Sequence, residues 1–344
     1  MQTWLHLGIL IMNDKNLKKT SFVCLFLFSL VLGFHCRVNP NPKGSLLDPF
    51  TAEGLLSTLI YNDSLNPGPT RDWTTITSPF GTTDPIDSAL FDQIGATTYS
   101  IYIRNTNLST RLYSSTNGIS YSQLGVQINN TNTNIFAAFT GRSQLSNYHS
   151  LNLGGAWTAN ALISGFCMIK YNTASAYILG DGFVDRTIDS GNSINTISNS
   201  PAYPSRTSGS CLYANGKAYL LGGKNGSSNL FDLWESTDGI SWTLITDRVK
   251  QTSGGGINRP CNAIQDTNDI SVLGMVYSDM TTYKFHIVFN NLALLQSNDG
   301  KTWTCTNPSL NFNSGFNSIV NRAVLIGKRL FVYGQPDNVY TDLE

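Results

Sequence analysis

Side chains able to do chemistry are unevenly supplied in this 344-residue chain. Downstream of residue 35 there are three glutamates, Glu53, Glu235 and Glu344, and two histidines, His149 and His286. Arginines are better represented, among them Arg104, Arg111, Arg142, Arg186, Arg206, Arg259 and Arg322. Arginines can hold an anionic substrate, but hydrolysis also needs a nucleophile beside a base, or two opposed carboxyl groups. Glu53 and Glu344 stand near the ends of the chain and Glu235 sits in an outer-strand pattern beside Trp234, so no such pair is assigned. Neither histidine has metal-ligand spacing with a cysteine or carboxylate. The run "GDGFVDRTIDSGN" carries Asp181, Asp185 and Asp189. Carboxylates on a loop are the raw material of a Ca²⁺ site, but these lack the alternating spacing of calcium loops and read as solvated acids. The residues therefore assign no catalytic group, no cofactor and no metal.

Two arginines have a position in common. Arg206 and Arg259 each lie shortly before a β-rich run, "YLLGGK" and "SVLGMV". If these runs are equivalent strands of a repeated unit, both arginines face one rim and could line a ligand funnel. Charged residues make up only 13% of the chain and the formal net charge is zero, which leaves no electrostatic footprint for nucleic acid.

The first residues carry an address. Lys15, Lys18 and Lys19 precede the uncharged run "SFVCLFLFSLVLGF", too short for a comfortable membrane-spanning helix and suited to a secretory signal. Met12 stands just before the lysines, which makes residues 1–11 candidates for sequence upstream of the true start. Cys36 closes the run and the Pro/Asn-rich "RVNPNPKGSLLDPF" follows it. This resembles a bacterial lipoprotein signal, although Phe34 and His35 depart from the small residues usual before the cysteine. The resemblance implies cleavage after residue 35, lipid attachment at Cys36, a tether over 36–70, and residence in the bacterial cell envelope, at the outer membrane or surface.

Four cysteines remain in the body: Cys167, Cys211, Cys261 and Cys305. They allow two disulfides in an oxidising compartment, in any of three connectivities. Because Cys167, Cys211 and Cys261 each precede a similar "YILG", "YLLG" or "SVLG" run, those three read as a repeated buried core position.

The elements that position these residues repeat. "STNGISY" (115–121), "STDGISW" (236–242) and "SNDGKTW" (297–303) share a turn followed by an aromatic, "SLNLGGAW" (150–157) is one residue longer, and "SGNSINT" (190–196) is a degraded candidate. Asp or Asn can bond nearby backbone N–H groups, Gly supplies positive φ, and the aromatic heads the next strand. Short β-rich runs recur upstream of these turns, giving four short strands per unit of roughly 35–60 residues, the pattern of propeller blades. The last unit lacks a turn-and-aromatic strand, and "RDWTTIT" at 71–77 looks like an outermost strand with nothing before it. The expectation is an all-β propeller of about six four-stranded blades over 71–344, with five or seven still open, closed by this N-terminal strand.

These turns resemble the Asp-box, or BNR, repeat of sialidase-like propellers, and residues 206–245 resemble a kelch repeat through Gly222, Gly223 and Trp242. The resemblance implies the fold. A sialidase would also need a Tyr activated by a Glu, and an "RIP" motif, which this chain does not have. The expectation for function is an exported, lipid-anchored binding module whose partner is a protein or glycan. The alternative is a glycan-processing enzyme with an atypical carboxylate site.

Overall fold

The computed structural model describes residues 70–76, 92–94, 99–106, 109–129, 136–139, 142–145, 148–151, 155–159, 163–249, 271–308, 323–333 and 338–343. They build only β-structure. The first two strands are β1 (Thr70–Arg71) and β2 (Thr74–Ile76). Blade 1 comprises β3 (Asp92–Ile94), β4 (Tyr99–Thr106), β5 (Ser109–Ser115) and β6 (Ser122–Asn129). Blade 2 comprises β7 (Phe136–Phe139), β8 (Arg142–Leu145), β9 (Tyr148–Ser150) and β10 (Thr158–Ala159). In blade 3 these are β11 (Cys167–Lys170), β12 (Ala176–Gly180), β13 (Phe183–Thr187) and β14 (Asn195–Ser198). In blade 4 they are β15 (Ser208–Ala214), β16 (Lys217–Asn225), β17 (Ser228–Ser236) and β18 (Thr243–Thr246). Blade 5 follows with β19 (Val272–Tyr277), β20 (Phe285–Phe289), β21 (Leu294–Ser297) and β22 (Thr304–Pro308). Blade 6 takes β23 (Ala323–Ile326), β24 (Arg329–Val332) and β25 (Asn338–Asp342) from the C-terminal end and β2 as its outermost strand.

Each blade is an antiparallel meander, so the protein is a β-propeller, with six such sheets among the described residues. The first strands of successive blades adjoin one another along the ring, and the fourth strands lie outermost. Closure is by sequence-distant pairing: Thr74, Thr75 and Ile76 pair with Tyr340, Val339 and Asn338. Trp73 is buried beside Leu330, Val332 and Leu343, and the Thr341 hydroxyl donates to the Asp72 carbonyl at 2.6 Å. The parallel pairing of β1 is not legible in the sequence. Before entering blade 6 the chain adds β1, in parallel, to the outer edge of blade 5, with Thr70 opposite Asn307 and Arg71 opposite Pro308. That edge is thereby paired instead of open.

The strands read as continuous apolar runs where neighbouring blades cover both faces of a sheet. "AYILG" of β12 and "FHIVF" of β20 are buried at every position. The hydrophobic clusters accordingly span blade boundaries. Phe166, Ile169 and Leu179 of the blade 3 region pack with Ala218 and Leu220 of blade 4. Tyr219, Leu221 and Leu233 pack with Val272, Phe285 and Ile287 of blade 5. Val324, Ile326 and Phe331 of blade 6 pack with Tyr113 of blade 1, which joins the ring's last blade to its first.

The cysteine expectation is corrected here. Cys167 and Cys211 are joined by a disulfide, with their Cα atoms 6.3 Å apart. They lie on β11 and β15, adjoining first strands of blades 3 and 4, and the equivalence that made them look like a repeated core position is what brings them together. Cys305 is also disulfide-bonded. Cys261 lies outside the described residues, as do Cys36 and Arg259.

Candidate functional site: the two ends of the ring

The repeated turns connect the third and fourth strands of the blades. In blade 4, Ser236 Oγ donates to Asp238 Oδ1 at 3.0 Å and accepts from the Gly239 N–H at 2.9 Å. Asp238 Oδ1 in turn accepts from the Ile240 and Ser241 N–H groups at 2.8 and 2.7 Å. The turn at Ser297, Asp299 and Gly300 repeats these bonds, and in the turn at Ser115, Asn117 and Gly118 the Asn amide oxygen takes the place of the carboxylate. Burial raises the Asp299 pKa, but two backbone and two hydroxyl donors outweigh it and hold the group down at about 2.

Blade 3 corrects the position of the turn in its acidic stretch. The turn is built three residues earlier than "SGNSINT" implied, with Thr187 in the serine position and Asp189 as the acid. Asp189 accepts from the Ser193 N–H at 2.9 Å and from its hydroxyl at 2.6 Å. Asp185 accepts from the Thr196 hydroxyl at 2.7 Å, and Asp181 from the Arg206 N–H at 3.2 Å. The three acids serve three separate places, and among the described residues no group of His, Cys, Asp or Glu converges as a metal would require.

Arg206 is buried, and its guanidinium is held inside blade 4. It donates to both oxygens of Asp232 (3.1 and 2.7 Å) and to the Gly222 carbonyl at 2.7 Å, and it lies 5.5 Å from the Tyr203 ring centroid. A bidentate pair with almost no solvent access holds the entry to β15 against β17. The geometry gives Arg206 a place in the scaffold instead of in a funnel. A second ion pair, which sequence reading missed, links three blades at their inner strands. Lys170 Nζ lies 2.7 Å from Asp92 Oδ2 and donates to the Ala138 carbonyl at 2.8 Å, while the Ala138 N–H donates to Asp92 Oδ2 at 2.8 Å. A neutral hydrogen bond joins the inner strands of blades 4 and 5, where the Met275 N–H donates to Ser210 Oγ at 2.8 Å. Position in the ring, invisible to local sequence, makes these contacts.

Glu235 pairs with Lys217 at 2.9 Å. Buried His286 is fixed between the Tyr283 carbonyl and Gln296, and its pKa falls to about 4 because burial disfavours the imidazolium. His149 is also shifted down, by burial and then by Arg142.

Antiparallel topology places the first-to-second and third-to-fourth strand connections at one end of the ring. The tyrosines of three blades gather there. Tyr171 stacks on Tyr177 with centroids 4.5 Å apart and lies 6.0 Å from Tyr213, while the Tyr277 hydroxyl donates to Asn215 Oδ1 at 2.6 Å. At the opposite end the fourth strand of each blade is joined to the next blade. These links are uneven: 160–166 and 199–207 are short, 247–271 and 309–322 are long.

No family model matches the chain, and no curated protein matches it. Among solved structures it is similar to "YCF48 bound to D1 peptide", at 12% identity and a TM-score of 0.48, over 80% of this chain and 99% of that one.

Proposed function

We propose that the protein is an exported, lipid-anchored β-propeller of the bacterial cell envelope that works as a binding module. The observation that carries the reading is the asymmetry of the ring. Tight, hydrogen-bonded turns occupy one end, whereas the blade-to-blade links at the other differ in length and composition from blade to blade. Variable loops on a rigid scaffold are the usual way such a fold acquires a partner. The recurring Ser–Asp–Gly hydrogen bonds support Asp-box repeats, and the register shift between Leu221 and Gly223 in β16, across Gly222, supports a kelch-like blade 4. The signal-like run and Cys36 support export and anchoring. Arg259, in link 247–271, is the arginine retained for an anionic or glycan ligand.

The test combines two measurements on cells making the full chain. Cys36→Ala should release the protein from the membrane fraction, and an unchanged fraction rejects the anchor. Photo-crosslinkers placed in links 247–271 and 309–322 should capture a defined partner that crosslinkers in β18 do not. Turnover of a glycoside substrate, abolished by a single Asp→Asn change, would replace the binding reading with an enzymatic one.

A further inference from the structure

Seven large hydrophobic side chains are exposed among the described residues: Ile119, Leu151, Ile188, Tyr213, Ile240, Leu244 and Met280. All except Leu244, which is on β18, sit at the turn end of the ring. Ile119, Leu151, Ile188 and Ile240 belong to the third-to-fourth strand turns of blades 1, 2, 3 and 4, one for each blade. Met280 belongs to the first-to-second strand connection of blade 5, and Tyr213 stands on β15 one residue from its end at that connection in blade 4. Leu151 is 69% exposed, Ile188 62% and Met280 58%. The turns do not need these side chains: their bonds run through Ser, Asp and Gly, and in the blade 5 turn the place of Ile240 is taken by Lys301.

We infer that this end of the ring rests on a lipid bilayer, with the turn tips inserted at its interface. This rests on the proposed anchoring but makes a separate claim. The apolar side chains are single studs, one to a turn, separated by Ser, Asn and Asp. A protein partner buries a contiguous apolar centre inside a polar rim, whereas a fluid interface accepts scattered studs on an otherwise polar surface and favours tyrosines at headgroup depth, where Tyr171, Tyr213 and Tyr277 would stand.

The path of the chain agrees. β22 leaves the Ser297–Trp303 turn, and β1 runs parallel to it, so Thr70 is the end of β1 nearer the turns.

The experiment reconstitutes the full chain in phosphatidylcholine vesicles with and without brominated acyl chains. Ile119→Trp, Ile188→Trp and Ile240→Trp are compared with Leu244→Trp, and the parent fluorescence is subtracted. Insertion of the tips to interfacial depth should quench the three added turn tryptophans about twofold or more, and leave the one in β18 unquenched. Equal quenching at all four positions, or none at the turns, overturns the inference. Cys36→Ala fractionation is read separately: release from membranes with no turn quenching leaves the anchor standing without the docked face, and turn quenching with Cys36→Ala still membrane-bound leaves the docked face standing without the anchor.

Discussion

Gly239 and Gly300 hold the same position in the same turn, with φ of 74° and 72°. Both need the left-handed region, in which a β-carbon is costly. Their surroundings differ. A methyl group on Gly239 would run into the Tyr177 ring of blade 3, whereas one on Gly300 would meet Phe285 no closer than 3.9 Å. Gly300→Ala should therefore lose only the conformational term, about 1–2 kcal/mol. Gly239→Ala should lose about 1–3 kcal/mol more through overpacking. Urea unfolding of the two variants checks this, and equal losses would mean that the blade 3–blade 4 contact is loose. At this scale the sequence was a good guide, because Ser, Asp and Gly act within one turn. It could not show that an aromatic ring presses on Gly239 and not on Gly300.

Blade 5 shows what an element adds. His286 on β20 pairs across the sheet with Gln296 on β21, and the Thr306 hydroxyl of β22 donates to Gln296 Oε1 at 2.7 Å. The His286 Nε2–H donates to the Tyr283 carbonyl at 2.7 Å and Nδ1 accepts from Gln296 Nε2 at 3.2 Å, which suits the neutral ring. Burial first, and then the nearby Arg71, lower the pKa to about 4, with the Tyr283 carbonyl opposing. The unfolded chain takes up its proton near pH 6.5 and the native ring only near 4. The neutral histidine therefore contributes stability in full above about pH 6.5, and that contribution is lost as pH falls from there toward 4. A shift of this size corresponds to the order of 3 kcal/mol. The denaturant midpoint of the native protein should fall across this window more steeply than that of His286→Gln, and parallel curves would remove the histidine from the account. In the sequence His286 was one isolated histidine without ligand spacing; only strand pairing supplies its partners.

For the whole molecule, closure and crosslinking govern stability. The strand pairing of 74–76 with 338–340 closes the ring, and the Cys167–Cys211 disulfide ties the adjoining strands of blades 3 and 4 over a separation of 44 residues. A loop of that length corresponds to about 4 kcal/mol in the chain-entropy account. Replacing both cysteines with alanine should lower stability by up to that amount while leaving the β-sheet circular dichroism in place. An unfolding midpoint that does not respond to reductant in the native protein would show that the crosslink adds nothing. Neither feature is local. Each joins residues that the sequence separates by a blade or by nearly the whole propeller.

The sequence by itself determined the all-β class, the four-strand unit, the turns at 115–121, 236–242 and 297–303 and the closing role of the segment after Arg71. These follow from short-range chemistry: side chains bonding their own backbone, glycine at positive φ, and apolar runs of strand length. Tertiary structure alone decided that Arg206 belongs to Asp232, that Asp92 and Lys170 meet across blades, that Cys167 and Cys211 are bonded, and that Ile119, Leu151, Ile188 and Ile240 share one end of the ring. A propeller brings equivalent positions of successive blades side by side, so these contacts depend on where each repeat stands in the circle, and no short stretch of sequence carries that information.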